Sequence, residues 1–317
     1  FVQEINRNTD QNNYYLFFGG NPMDTIPEWA FPIGNDPGRF FQFLASGDLN
    51  NDGYDDILLK TVHENKARIV FGGELVGMDV WILDQGNISS METGDLNGDG
   101  NKDIILSYYE TDEVPYFILL FCGPELDTIP DMLLEVEFIE KSWATSVRSG
   151  EDINNDGYDD LIINNVYYDV SPDGHEGKVY ILFGGEDMDA IPDITITGDQ
   201  PMEYLGLKSM FLPDLNADGY AEVLISEGQY IDDYPGIGMY IYFGGNPMDT
   251  IPDVFLSHAW ERDVTAYTVP GTDSVGIVVG DPGLSAVLVY SNTNLLREPV
   301  VTHHSLLERK TGSHYNY

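Results

Sequence analysis

The tripeptide Phe-Gly-Gly, or a near copy, ends a short β-forming run five times, and this repetition restricts the fold more than any other feature of the chain. It stands at Phe18, Phe71, Phe121 (as Phe-Cys-Gly), Phe183 and Phe243, at intervals of 53, 50, 62 and 60 residues. The runs it closes cover residues 14–18, 68–71, 116–121, 179–183 and 239–243, and 286–290 reads as the same strand without its glycines. Behind four of the five copies the string Asp-x-Ile-Pro follows, its proline nine residues after the phenylalanine: Pro27, Pro130, Pro192 and Pro252. The second copy reads Gly77-Met78-Asp79-Val80-Trp81 and needs a different turn. Glycine pairs permit turns with positive φ, and a proline suits the first residue of an edge strand.

An acidic nonapeptide repeats in register with these strands. Asp48-Leu-Asn-Asn-Asp-Gly53 recurs as 95–100, 152–157 and 214–219, each followed by a β-rich run at 57–59, 104–106, 161–163 and 223–225. One unit therefore reads strand, acidic loop, strand, short loop, strand ending in Phe-Gly-Gly, proline turn, outer strand. Nothing in it sustains a helical period. Four short strands in about 50 residues match a blade of a β-propeller, so the expected class is all-β. Length supports six blades, since a sixth of the chain is about 53 residues. The expected layout is a single propeller domain over 1–317. It has a partial first blade at 1–39, five repeat units at 40–304, and a closing strand or tail at 305–317. The first unit lacks an acidic loop and the strand before it, so the C-terminal segment is expected to supply that strand and close the ring.

Charge narrows the partners. With 54 Asp and Glu against 14 Lys and Arg, the net charge of −40 repels nucleic acid and anionic membrane surfaces. No apolar run nears the roughly 18 residues of a membrane span. The 42% hydrophobic and 12% aromatic content is enough to fill a core. The lone cysteine, Cys122, allows no intrachain disulfide, so packing or metal must hold the fold, and it reads as a small buried residue. The first residue is Phe1 rather than Met, which fits removal of a signal segment.

The acidic loops have the donor set of a hard cation, which takes six to eight oxygen ligands. Positions 1, 3 and 5 offer side-chain oxygens, the glycine at 6 makes the turn, position 7 offers its carbonyl, and position 9 closes the shell. The four candidate sets are Asp48, Asn50, Asp52, Tyr54, Asp56; Asp95, Asn97, Asp99, Asn101, Asp103; Asp152, Asn154, Asp156, Tyr158, Asp160; and Asp214, Asn216, Asp218, Tyr220, Glu222. Glu222, longer by one methylene, sets the fourth apart. An EF-hand is excluded because position 12 of the first loop is Leu59, inside a strand. Ca²⁺ suits a large, loop-borne, all-oxygen set better than Mg²⁺, which retains its waters. No loop contains the His or Cys that Zn²⁺ or copper prefers. The plain alternative is an acidic turn, since Asp, Asn and Gly favour turns anyway; four copies in register argue against it. The fifth unit keeps only Gly271-Thr272-Asp273-Ser274 between its strands, too short to ligate.

Phe-Gly-Gly strand ends combined with Asp-x-Asn-x-Asp-Gly-x-x-Asp loops resemble the FG-GAP repeats of integrin α-subunit propellers and their bacterial relatives, over about residues 14–290. The resemblance implies a β-propeller with Ca²⁺ in the loop between the first two strands of a blade, on the residues just named. The Gly-Ala-Pro part of the family pattern is not intact: the copies read Lys60-Thr61-Val62, Ser107-Tyr108-Tyr109 and Ser226-Glu227-Gly228. The family includes adhesion receptors, lectin-like modules and lyase scaffolds, so the fold alone says little about function.

No catalytic signature appears: there is no Gly-x-Ser-x-Gly, no His-Glu-x-x-His and no phosphate-binding glycine loop. The histidines, His63, His175, His258, His303, His304 and His314, share no register and read as solvated loop residues. Asn87-Ile88-Ser89 is a weak glycosylation acceptor pattern. Tyr108-Tyr109, Tyr167-Tyr168, Tyr230 and Tyr234 fall between second and third strands, where tyrosines either stack on sugars or pack between blades. The expected function is a secreted or surface-displayed, calcium-stabilised module for binding, adhesion or self-assembly. Its partner would be a protein or glycan on a propeller face, or a second copy engaged through terminal strands, with no nucleic acid and no membrane insertion. A lectin, and behind it a polysaccharide lyase, are the alternatives.

Overall fold

In the computed structural model, the residues described are 2–6, 11–16, 29–32, 41–61, 67–72, 79–83, 87–109, 116–120, 130–134, 145–172, 174–228, 238–257, 264–268, 275–281, 286–291 and 300–302. They form strands and loops. A three-stranded sheet contains β1 (Val2–Asn6), β2 (Gln11–Leu16) and β3 (Trp29–Pro32). The second sheet contains β4 (Phe41–Gly47), β5 (Asp56–Thr61), β6 (Ala67–Val70) and β7 (Asp79–Leu83). The third runs through β8 (Asn87–Gly94), β9 (Asp103–Tyr109), β10 (Tyr116–Leu120) and β11 (Met132–Leu134). The fourth has β12 (Thr145–Ser149), β13 (Leu161–Asn165), β14 (Lys178–Leu182) and β15 (Ile194–Thr197). In the fifth lie β16 (Ser209–Leu212), β17 (Glu222–Ser226), β18 (Gly238–Tyr242) and β19 (Val254–Ser257). The last holds β20 (Val264–Thr268), β21 (Val275–Asp281), β22 (Ala286–Ser291) and β23 (Val300–Thr302).

Every sheet is an antiparallel meander whose spatial order is its chain order. The unit read from the sequence is thus the unit that folds. β1 is a strand the sequence reading did not single out: Val-Gln-Glu-Ile-Asn is polar, yet it pairs with β2 from Val2↔Tyr15 to Asn6↔Gln11.

The core explains why the sheets face one another. Along β9, Ile104 and Leu106 point into a cluster with Leu58, Ile69 and Met91, while Ile105 points the other way, toward Val147, Leu161 and Leu182. In β13 the same alternation places Leu161 and Ile163 against the third sheet and Ile162 against the fifth, beside Val223 and Ile225. β17 repeats it once more, with Leu224 turned toward Ile277 of the last sheet. Period-2 alternation normally gives one wet face. Here both faces meet a neighbouring sheet, so all five residues of β13 and of β17 are buried. Each fully buried Leu or Ile contributes about 1.5–3 kcal/mol. The first strands of successive sheets are neighbours: β4 lies against β8, β8 against β12 and β12 against β16. They occupy the inner side of the array. This is a β-propeller.

Polar ties cross the same interfaces. Arg148 of β12 donates to Glu92 of β8 at 2.8 Å, and burial pushes that carboxyl up to about 7 against the lowering pull of Arg148. Asn164 of β13, fully buried, donates to Ser146 at 2.9 Å and to Ser209 of the next sheet at 2.7 Å. Of the positions singled out in sequence, Phe18, Pro27, Gly77, Met78, Phe121, Cys122, the 271–274 segment, Tyr230, Tyr234, the 305–317 segment and every histidine except His175 lie outside the described residues.

Candidate metal centres and their cross-blade ties

Each acidic loop joins the first and second strands of its sheet, and the four share one backbone path. The position-6 glycines Gly53, Gly100, Gly157 and Gly219 have φ of +88°, +87°, +95° and +95°. Position 4 is also left-handed every time, at Asn51 (+56°), Gly98 (+72°), Asn155 (+58°) and Ala217 (+67°). Asn and Gly tolerate this conformation, whereas alanine there is strained by about 1 kcal/mol.

Backbone N–H groups turn the side-chain oxygens into each loop. In the first, Asp48 accepts from the N–H groups of Asp52 (3.1 Å) and Gly53 (2.8 Å). Asn50 Oδ1 accepts from Asp52 N–H at 3.1 Å, and Asp52 Oδ1 from Tyr54 N–H at 3.0 Å. The third loop repeats this at Asp152, Asn154, Asp156 and Tyr158, and the fourth at Asp214, Asn216, Asp218 and Tyr220. In the second, Asp95, Asn97 and Asp99 accept from Gly100, Asp99 and Asn101 at 3.0, 2.9 and 2.7 Å.

Position 9 is different in kind: Asp56, Asp103, Asp160 and Glu222 are fully buried at the start of the second strand. One oxygen of Asp56, Asp103 and Asp160 accepts the position-2 N–H, from Leu49, Leu96 and Ile153, at 2.8–2.9 Å. The other oxygen of Asp56 accepts from Gly72, and that of Asp160 from Gly184, at 2.9 and 3.0 Å. These are the first glycines of Phe-Gly-Gly. Glu222 instead brings both oxygens to Leu215 N–H, at 3.0 Å each. Burial pushes Asp103 and Asp160 up to about 7 and Glu222 up to about 8, the backbone donors pulling down and the neighbouring loop carboxylates adding to the rise. Asp56 is raised for the same reasons.

Phe-Gly-Gly also reaches the preceding blade. Gly185 N–H donates to the carbonyl of Leu96, and Gly245 N–H to that of Ile153, both at 2.8 Å. The position-8 N–H of Asp159 meets Asp95 O at 3.0 Å, and that of Ala221 meets Asp152 O at 3.4 Å. At Gly184 and Gly244 the first glycine is required for steric reasons. A Cβ at Gly184 would lie 2.3 Å from Asp159 O, and one at Gly244 would lie 2.1 Å from Ala221 O. The two sequence repeats are thus halves of one joint.

Among the described residues, no three Asp, Glu, His or Cys side chains converge as a ready-made metal cage. The loops nevertheless fit a hard cation. Each carboxylate oxygen held by one N–H keeps a second lone pair, and all side-chain donors are oxygens. In the second loop, Asp95 Oδ1 and Asp103 Oδ1 are buried and have no hydrogen-bond partner among the described residues, acceptors that a cation would satisfy.

A second cluster escaped sequence reasoning because its members come from separate segments. At the opposite ends of the strands from the acidic loops, Tyr167, His175 and Tyr204 meet with ring centroids 5.5–5.8 Å apart, and His175 Nδ1 lies 3.0 Å from Asp169. His175, Met202 and Tyr204 have φ of +49°, +62° and +52°, three non-glycine residues in a region that strains them. Tyr108 packs against the core, and Tyr168 lies under the Lys178 ammonium at 3.7 Å.

A profile of the FG-GAP repeat matches residues 143–182, from just before β12 to the end of β14. Integrin alpha-5 of Xenopus laevis is 27% identical over 158 residues, 45% of this chain and 15% of that protein. Phosphatidylinositol-glycan-specific phospholipase D of Bos taurus is 27% identical over 169 residues, 47% of this chain and 19% of the enzyme; the human enzyme is 26% identical over the same length. The aligned stretch is therefore less than a fifth of each relative. Among solved structures, the Dos1 propeller aligns over 86% of this chain and 61% of its own, with a TM-score of 0.48 and 12% identity.

Two substitutions test the joint. Gly184→Ala should lower the unfolding free energy by about 2–3 kcal/mol, since backbone rather than a movable side chain occupies the Cβ position. Ala217→Gly should raise it by about 0.5–1 kcal/mol by relieving left-handed strain. Denaturant titration reads both, and a neutral Gly184→Ala would contradict the packing described. Residues 143–182 thus match the FG-GAP repeat, and on this propeller sheet architecture a little under half of the chain is similar to an integrin α subunit.

Proposed function

We propose that the chain is a secreted or surface-displayed binding or adhesion module whose propeller is stabilised by calcium in the four acidic loops. The observation that carries this reading is the second loop, where two buried carboxylate oxygens, of Asp95 and Asp103, have no hydrogen-bond partner among the described residues, while the turn glycine and the left-handed position 4 recur in the other three loops. Each set presents three carboxylates, a formal −3 that one Ca²⁺ largely offsets. Such loops suit a compartment where calcium is about millimolar, the range of weak extracellular modules. Bound calcium would act on the fold: it relieves repulsion among the carboxylates and keeps the buried position-9 groups ionised without a proton.

The ligand, protein or glycan, docks in this reading at the strand ends away from the loops, where the Tyr167–His175–Tyr204 group stands among exposed Val170, Met202 and Leu207. Tyrosine faces beside a carboxylate such as Asp169 also suit a sugar, which keeps the lectin reading in view. Catalysis is not part of the proposal; the phospholipase match covers only 19% of those enzymes. The ring is proposed to have six blades, with 305–317 adding the strand that the three-stranded first sheet lacks, either in its own chain or in a neighbour.

Thermal unfolding in excess calcium and then in EDTA tests the calcium reading. With calcium at 100 times its dissociation constant each site adds about 2.7 kcal/mol, so the midpoint should fall by at least about 10 °C on chelation. An unchanged midpoint would overturn it. Removing 305–317 should lower the midpoint if those residues close the ring. Solution mass distinguishes a self-closed monomer from strand exchange, and full stability of the shortened chain would refute closure.

A further inference from the structure

We propose that Asp159 couples the second and third acidic loops, so that a cation bound in one raises the affinity of the other. This rests on the calcium reading above and goes beyond it by naming a residue that is not itself a ligand. Asp159 occupies position 8 of the third loop, and its side chain is mostly buried, at 17% exposure. Its Oδ2 accepts from the main-chain N–H of Asp95 at 2.8 Å and from Lys102 Nζ at 2.6 Å. Its own N–H donates to the Asp95 carbonyl at 3.0 Å. One residue of the third loop therefore holds both main-chain groups of the first ligand of the second loop. It also holds the lysine next to that loop's last ligand, Asp103.

Neighbouring contacts make the link two-sided. Tyr158, whose carbonyl is the position-7 donor of the third loop, lies against the backbone of the second: a Cβ at Gly98 would be 2.4 Å from its ring. Gly185, which follows the glycine bonded to Asp160, donates to Leu96 O, while Leu96 N–H is held by Asp103. A cation that draws in the Tyr158 carbonyl and Asp160 shifts the peptide between them, which is Asp159. That shift is delivered to Asp95, whose Oδ1 is the buried acceptor awaiting a partner. The fourth loop lacks the device. Its position 8 is Ala221, which reaches Asp152 only through a main-chain bond of 3.4 Å. Coupling is reciprocal by linkage, so either loop can be the one that fills first.

Calorimetric titration of the full chain with Ca²⁺ tests this, comparing wild type with Asp159→Ala and Asp159→Asn. The wild type should fill two sites cooperatively, the second at least about 5-fold tighter than independent binding gives. Asp159→Ala should make those two sites independent and weaker while the total number of sites stays the same. Asp159→Asn, which keeps an acceptor for Asp95 N–H but loses the charge facing Lys102, should retain part of the coupling and guards against a misfolded alanine variant. Calcium uptake with the same stepwise constants in all three proteins would overturn the coupling and leave the calcium reading intact. No uptake by the wild type would overturn the calcium reading, and the coupling with it.

Discussion

A carboxylate shut off from water is unfavourable by several kcal/mol unless hydrogen bonds or a cation offset the loss of hydration. All four position-9 acids, Asp56, Asp103, Asp160 and Glu222, are in that situation. Each answer uses the same local donor, the N–H of loop position 2, and Asp56 and Asp160 add the first glycine of Phe-Gly-Gly. The acid therefore ties the beginning of its loop, the start of its second strand and the end of its third strand to one point. The remaining loop oxygens are arranged around that fixed group.

The joint extends between blades. The glycine after the one that meets the carboxylate donates to the previous loop, and the position-8 N–H does the same one residue earlier. Hydrophobic packing between sheets is alternating and non-directional. It holds neighbouring sheets together but sets their relative position less sharply than these short backbone bonds do. Two sequence motifs that look independent recur together because each supplies half of the same contact. At Gly72, Gly184 and Gly244 a side chain would separate the halves, because a Cβ there would meet a backbone carbonyl oxygen.

Much of this was legible in the sequence, and the parts that were not have physical reasons. Sheet architecture followed from spacing, because strand, loop and Phe-Gly-Gly repeat in fixed order. The left-handed position 4 was hidden because Asn51, Gly98, Asn155 and Ala217 share a backbone angle and no side-chain chemistry. Asp159 was hidden for a related reason: its counterparts are Asp55, Lys102 and Ala221, so a consensus treats the position as free. β1 escaped because its residues are polar and its partner β2 supplies the hydrogen bonds. The Tyr167–His175–Tyr204 group depends on two connections meeting across a blade boundary, which no linear pattern records. Glu222 differs from the position-9 aspartates in its bonds: both its oxygens share one N–H, where the aspartates divide theirs between loop and, in two blades, glycine.

Function then depends on whether these loops are turns or ligand sets. As turns, they would be held by N–H groups alone, with Asp95 and Asp103 each keeping a buried oxygen unsatisfied. As ligand sets, the same oxygens complete a shell, and the stability of the ring becomes tied to calcium. Diffraction from crystals grown in millimolar calcium separates the two most directly. The account predicts a cation within each of the four loops, ligated by oxygens of positions 1, 3, 5, 7 and 9 at about 2.3–2.6 Å. Loops that hold only water, with their carboxylates still on the backbone N–H groups, would contradict it.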